Sequence, residues 1–235
     1  MSVPGVGVCG PPFATDDPGI VAPGQVELLP FQQSTRTADG RSGVLAGLES
    51  HFGIAEGFEI DLTAPLAFAR AGGGEMQRGY GDTTLGFKYK LLDESDAQPL
   101  VSVVPRINFA TGNAARGLGN GGNQVFLGAS AQKDLGGCQA YATAGYWLNR
   151  GAGNRDYASA GVAVLRDFDA HWTLGVEFFA NGAATTRQPA SAGFNAGGYY
   201  KLDSHRQFLF SAGRGIVESA PTNRVSTYLG YQYSF

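Results

Sequence analysis

At 235 residues the chain has room for one large all-β domain or two small ones. Only 16% of residues are charged and 36 are glycine, yet mean hydropathy lies slightly below zero, which is too polar for a bundle of spanning helices. No run approaches the ~18 apolar residues of a spanning helix, and a net charge of −3 gives no argument for a nucleic-acid partner.

Low charge, much glycine and many aromatics without a helical span fit a barrel whose lipid face alternates with a polar lumen. Residues 1–24 hold Pro4, Pro11, Pro12, Pro18 and Pro23 and read as an extended leader without a strand. Met1-Ser2-Val3-Pro4 has neither a basic start nor an apolar h-region, so it is not a signal peptide; in an exported protein that signal has been removed. Predicted strands follow at 25–35, 43–54, 58–69, 82–92, 99–110, 123–133, 139–149, 156–166, 172–181, 191–201, 207–216 and 225–235. Each has about the 9–11 residues a tilted spanning strand needs. Their number, about twelve, is even, as in single-chain bacterial barrels. The expected organisation is a periplasmic leader over 1–24, able to act as a partial plug, and an all-β, transmembrane, antiparallel up-and-down β-barrel over 25–235.

The connections alternate strictly between two classes. Short ones fall at 55–57, 93–98, 134–138, 167–171 and 202–206, and the others at 36–42, 70–80, 111–122, 150–155, 182–190 and 217–223. Short periplasmic turns and longer outer loops give this rhythm. Faces sort at period two. Phe58, Ile60, Leu62, Leu66 and Phe68 oppose Glu59, Asp61 and Thr63; Leu85, Phe87, Tyr89 and Leu91 oppose Asp82, Thr84, Lys88 and Lys90. Val101, Val103, Ile107 and Phe109 oppose Ser102, Arg106 and Asn108; Trp172, Leu174, Val176 and Phe178 oppose Thr173, Glu177 and Asn181. Alternation alone does not separate a lipid-facing apolar side from a soluble barrel's core. Arg214 breaks the pattern, in phase with Phe208, Phe210 and Ala212. A bulge at Gly213 would turn it inward; otherwise it belongs near the headgroups.

The last strand carries Thr227, Leu229, Tyr231, Tyr233 and Phe235 on one face. An aromatic beside the terminal carboxylate suits a membrane–water boundary. This ending resembles the closing strand of bacterial outer-membrane barrels, whose terminal aromatic is read by the barrel-assembly machinery; Phe235 is the residue expected to do so here. Arg36, Arg41, Arg70, Arg78, Arg116, Arg150, Arg155, Arg187 and Arg224 gather on the outer loops and strand ends, while most acids sit at the inner turns. Arginine binds phosphate bidentately, so this rim is expected to face lipopolysaccharide, with ordinary solvated loop charge as the alternative.

Several short stretches look familiar once the chain is laid out. They are Pro12-Phe13-Ala14-Thr15-Asp16-Asp17-Pro18, Gly81-Asp82 followed by Phe87-Lys88-Tyr89-Lys90-Leu91-Leu92, Val104-Pro105 with Thr111-Gly112, Gly213-Arg214-Gly215 and Tyr231-Gln232-Tyr233-Ser234-Phe235. Together they resemble the outer-membrane family named for the meta-pathway of phenol degradation. That resemblance implies passage of small organic compounds, often aromatic, across the bacterial outer membrane, and no catalytic residue.

Cys9 in the leader and Cys138 at an inner turn would both lie on the oxidising periplasmic side. A Cys9–Cys138 disulfide is expected there, with two unrelated thiols as the alternative. It would close a loop of about 128 residues, worth up to roughly 4–5 kcal/mol in the chain-entropy model. No pair of cysteines or histidines has metal spacing, and Gly72-Gly73-Gly74 and Gly119-Asn120-Gly121-Gly122 follow no strand–helix pattern, so they read as loops. No cofactor, metal or catalytic residue is expected. The expected lumen set is Glu49, His51, Glu59, Asp61, Asp82, Lys88, Lys90, Arg106, Glu177, Tyr199 and Lys201. Phe109, Tyr146, Trp147, Phe179 and Phe194 are read as an outer aromatic girdle that could alternatively greet an apolar solute. The leading function is a passive outer-membrane channel for small organic molecules. Behind it stand a closed structural or surface-interaction barrel and, further off, an outer-membrane hydrolase.

Overall fold

Alternating side chains fix which face of each strand meets which medium, and the wall follows from that. The computed structural model describes residues 12–235. Its strands are β1 (Val26–Arg36), β2 (Gly40–Ala55), β3 (Phe58–Ala71), β4 in two pieces (Gln77–Tyr80 and Thr83–Leu92) and β5 in two pieces (Leu100–Val103 and Arg106–Phe109). Then come β6 (Gln124–Asp134), β7 (Cys138–Asn149), β8 (Tyr157–Asp167), β9 (Trp172–Asn181), β10 (Ser191–Lys201), β11 (Arg206–Val217) and β12 (Val225–Ser234). Every neighbouring pair is antiparallel, and β12 pairs with β1 from Glu27 opposite Ser234 to Arg36 opposite Val225, closing a twelve-stranded barrel. The breaks at Gly81-Asp82 and Val104-Pro105 do not open the wall. The Gly81 amide still donates to Pro65 O, Phe87 to Pro105 O and Val104 to Gly128 O, each at 2.9 Å.

The exposed side chains are the greasy ones. Leu62 is 42% exposed and Leu174 36%, whereas Glu59 and Glu177, three residues along the same strands and so on the opposite face, are 0% exposed. In a soluble barrel these values would be exchanged. An apolar exterior around a charged interior fits only a bilayer, and the closed wall leaves no unpaired edge within it.

The loop rhythm is less regular than the sequence suggests. The outer connection between β1 and β2 is only residues 37–39, because the hairpin tightens with Thr37 N donating to Gly40 O at 2.8 Å. The inner connection 93–99 is longer and holds a bridge between Ser95 and Gln98. Part of the expected 70–80 loop is wall, since Gln77–Tyr80 pairs with Leu66 to Ala69 of β3. Arg214 stays in the outward phase: the β10–β11 register runs unbroken from Lys201–Gln207 to Gly193–Gly215, and the irregularity falls beyond it. It is exposed near the outer end of β11, where a charge costs only about 0–1 kcal/mol.

The expected Cys9–Cys138 bridge is a correction. Cys138 is a free thiol, no disulfide occurs among the described residues, and Cys9 lies outside them. The described chain begins at Pro12 against Ser211 of β11, four strands around the barrel from the strand that Cys138 opens.

Two inner turns are pinned by aspartates. Asp169 accepts the amides of His171 and Trp172 at 2.7 and 2.8 Å, and Asp203 those of His205 and Arg206 at 2.9 Å each. The Trp172 amide, then that of His171, holds the Asp169 carboxyl below its ordinary range; the Arg206 side chain does the same for Asp203. A carboxyl lowered in the folded state stabilises the turn above its unfolded pKa and loses that effect as pH falls through the folded one. The protection factors of the His171 and His205 amides, taken against the pH-dependent intrinsic exchange rate, should therefore be flat at neutral pH and fall only below about pH 4. Protection that already fades near neutrality would show that other groups hold these turns.

Candidate functional site: the lumen and its leader

The lumen is not empty, because residues 12–24 run through it. Ser211 Oγ donates to Pro12 O at 2.6 Å. Glu177 takes four donors: Thr15 N and Thr15 Oγ1 at 2.5 Å each, Asn195 Nδ2 at 2.6 Å and Ala14 N at 3.2 Å. Asp16 forms an ion pair with Arg106, and its carbonyl accepts from Thr143 Oγ1 at 2.5 Å. Ser102 Oγ donates to Pro18 O at 2.7 Å and Lys88 Nζ to Gly19 O at 3.4 Å. The Val21 amide donates to Glu59 Oε2 at 2.6 Å, after which Gly24 joins Gly53 of β2. A proline-rich segment has backbone groups that no strand ladder uses, and lumen side chains satisfy them.

At its β2–β4 anchor the leader meets an ionic cluster. His51 Nδ1 lies 2.8 Å from Asp61 Oδ1 and 3.2 Å from Glu59 Oε1, with Glu49 Oε1 3.6 Å from Nε2 and Lys88 Nζ 3.9 Å from Glu59. His51, Glu59 and Asp61 place one ligand atom each within 4.8 Å of one another, enough for a metal cage by distance. The Lys88 ammonium and the Val21 amide already face Glu59, so the cluster is joined to the leader through Glu59 and Lys88.

The leader divides the interior. Glu49, His51, Asp61, Asp82, Lys88 and Arg106 line one cavity of about 380 Å³, together with Phe31, Trp147 and Tyr228. Asp82 also accepts the amides of Gly112 and Asn120 at 2.9 and 2.6 Å, which ties the long 110–123 loop to the wall. A second cavity of about 520 Å³ opens toward the outer loops, and a third of about 180 Å³ lies among Phe126, Trp147, Tyr157 and Phe179. On the inner side, Lys90, Tyr199 and Lys201 line a cavity of about 530 Å³ with Asp17, Pro18, Gly19 and Ile20 of the leader. Glu59 and Glu177 are wholly covered. All nine rim arginines are exposed.

Two residues of the expected girdle point the other way. Trp147 and Phe179 face the lumen, whereas Phe109 and Tyr146 are exposed on the outside. Trp147 packs on Phe126 at 4.9 Å between ring centroids and on Tyr157 at 6.1 Å; the Arg106 guanidinium carbon sits 5.0 Å from the Phe126 centroid. Phe126 and Tyr157 were missed, as were the apolar lumen residues Leu29, Leu165 and Leu209, which cluster with Phe13, Tyr141 and Tyr199. Phase was the available signal: Trp147 shares parity with Thr143 and Asn149, and Leu209 with Gln207 and Ser211.

Glycines make room for the aromatic wall. A Cβ on Gly128 or Gly145 would lie 2.4 Å from the Phe126 ring. Gly145→Val should expel that ring and cost about 1–3 kcal/mol through overpacking. The temperature at which the folded barrel loses its fast gel mobility should drop; an unchanged value would mean that the ring has another rotamer to occupy.

A hydrolase finds no support. Ser204 Oγ and His205 Nδ1 are 2.8 Å apart, but they are neighbours on an exposed inner turn, and Asp203 bonds the His205 amide instead of its ring. Nothing there orients the imidazole as a general base.

A closed barrel with a lipid-facing apolar side, an ionic lumen and an internal strap is an outer-membrane β-barrel. Residues 33–235 match the family described as "Putative MetA-pathway of phenol degradation", and the chain belongs to it. No curated protein matches it in sequence. Its fold is similar to that of an outer membrane channel from Pseudomonas putida F1, with a TM-score of 0.74 and 16% identity over 96% of this chain and 99% of that one. It is also similar to the KdgM porin, at a TM-score of 0.58 and 14% identity over 90% and 99% of the two chains. The CymD monoaromatic hydrocarbon channel follows at 0.52 and 10% identity over 92% and 89%.

Proposed function

We propose that this barrel is a passive outer-membrane pathway for small aromatic or otherwise apolar organic molecules, with the leader described over residues 12–24 as its internal plug. The carrying observation is the aromatic chamber above the leader, where Phe126, Trp147, Tyr157 and Phe179 surround a space of about 180 Å³ that meets Arg106 and Asp16. Flat rings lined up on a wall offer a flat solute stacking partners without demanding hydrogen bonds. The family's name and the monoaromatic hydrocarbons carried by CymD support the same solute class. The competing reading, a permanently closed structural barrel, draws on the leader's bonds to seven different strands.

The two tryptophans provide the test. Trp172 faces outward, so Trp172→Phe leaves Trp147 as the sole indole reporter in the lumen. Phenol should then change the fluorescence saturably, and Trp147→Ala should weaken solute flux into liposomes by about 2–10-fold, the worth of one stacked ring. A linear, collisional response together with unaltered flux would reject the chamber.

At the wall's ends the same reading places the arginine rim against lipopolysaccharide and gives Phe235 to the barrel-assembly machinery. Phe235 is 61% exposed, hydrogen-bonded from its amide to Val26 O at 2.9 Å and edge-on to Tyr233.

A further inference from the structure

Four of the rim arginines form one groove. Arg36 on β1 stands directly opposite Arg41 on β2, and Arg41 stands opposite Arg70 on β3. Arg224 joins them beside β12, its amide bonded to Arg36 O at 2.7 Å. The four line a depression of about 490 Å³ that also includes Met76 and Val225. Like charges directly opposite across a sheet repel. Here three stand in a row, no Asp or Glu lines the groove, and none of the four pairs with a carboxylate among the described residues. Two of the guanidinium groups are held by their Nε: Arg41 by Ser34 Oγ at 2.7 Å and Arg70 by Gly74 O at 3.0 Å. Arg41 additionally lies 5.6 Å above the Phe68 ring.

The groove belongs to the outside of the wall. Arg36 is paired with Val225, which is 51% exposed and in phase with the outward Leu229. A polar groove with an apolar border, at strand ends where bilayer gives way to headgroups, is matched to a phosphate that carries acyl chains. The structure assigns this groove, we infer, as a seat for the phosphate of an outer-leaflet lipid, lipid A being the one chemically suited. Paired forks can hold such a phosphate bidentately while it neutralises the arginine row. This inference rests on the proposed outward orientation of the rim and is independent of what crosses the lumen.

Binding to the full chain in neutral detergent, read by native mass spectrometry, tests it with three probes: bisphosphorylated lipid A, dephosphorylated lipid A and inorganic phosphate. Lipid A should bind, and the dephosphorylated form about tenfold more weakly. The triple variant R36Q/R41Q/R70Q should lose about tenfold toward lipid A alone, whereas R116Q/R187Q, rim arginines outside the groove, should keep it. If the triple variant does not fold, R36Q and R70Q singly should each show a partial loss. Equal binding of dephosphorylated lipid A, equal loss in R116Q/R187Q, or inorganic phosphate binding as tightly as the lipid would overturn the assignment. Single-channel conductance of the triple variant should remain that of the wild type, which separates this outcome from any failure of the channel reading.

Discussion

Removing residues 1–22 should raise single-channel conductance in planar bilayers by several-fold, since a twelve-stranded wall lies between the filled eight and the open sixteen. The wall itself does not depend on the leader: β1 to β12 pair only with one another, and the ring closes through β1 and β12. What the leader does is cross the interior between cavities of about 380 and 530 Å³. The passage beside Arg106 and Glu177 is where Asp16, Thr15 and Ala14 sit. Once these residues are gone, water can hydrate the exposed carboxylates, so the barrel should still fold and keep its heat-modifiable mobility. The freed lumen would expose Glu49, Glu59, Asp61, Asp82 and Glu177 against Lys88, Lys90, Arg106 and Lys201, a nearly balanced set that gives weak ion selectivity. A folded, truncated barrel with unaltered conductance would mean that the constriction lies in the wall or the loops.

Much of the wall was legible because lipid and lumen impose opposite demands on alternate residues. β3 shows this plainly: Leu62 and Leu66 are exposed to lipid while Glu59, in the opposite phase, is fully enclosed. Boundaries were less secure wherever a strand extends into a loop, as at Gly40 and Gln77, since pairing beyond the membrane needs no apolar face. The interior was harder to read. An aromatic near a strand end serves a girdle or a lumen equally well, and only its phase relative to polar neighbours separated Trp147 from Tyr146. Leu29, Leu165 and Leu209 were passed over because an apolar residue on the polar face breaks the rule that defined that face. The leader's path left no trace in the sequence. It has no periodicity, and apart from the Asp16 carboxylate and the Thr15 hydroxyl its anchors are lumen side chains meeting backbone groups, which almost any residue type at 12, 14, 18, 19 and 21 would offer.

Glu177→Gln is expected to loosen the plug without unfolding the barrel. All four groups around this carboxylate are donors, two of them backbone amides of the leader. An ionised carboxylate accepts from all of them, whereas a Gln amide must turn its NH₂ toward one pair, so donor meets donor. Losing charge-assisted bonds of this kind costs about 1.5–3 kcal/mol each. Within the wall such a penalty would reduce barrel stability, but here the leader has an alternative: Ala14 and Thr15 can leave and bond to water. The substitution should thus move the docking equilibrium by at least about tenfold, since 1.4 kcal/mol corresponds to that factor. Glu177→Leu should go further because it removes both acceptors. Asn195→Ala should do less, since Asn195 belongs to the wall and the amides of Ala14 and Thr15 keep their carboxylate. Protease added to reconstituted protein should cut within residues 12–24 in that order of rates, and channel open probability should follow the same order. Equal cutting of all three variants and wild type would place the plug's hold elsewhere, at the Glu59–Val21 contact and the His51 cluster behind it.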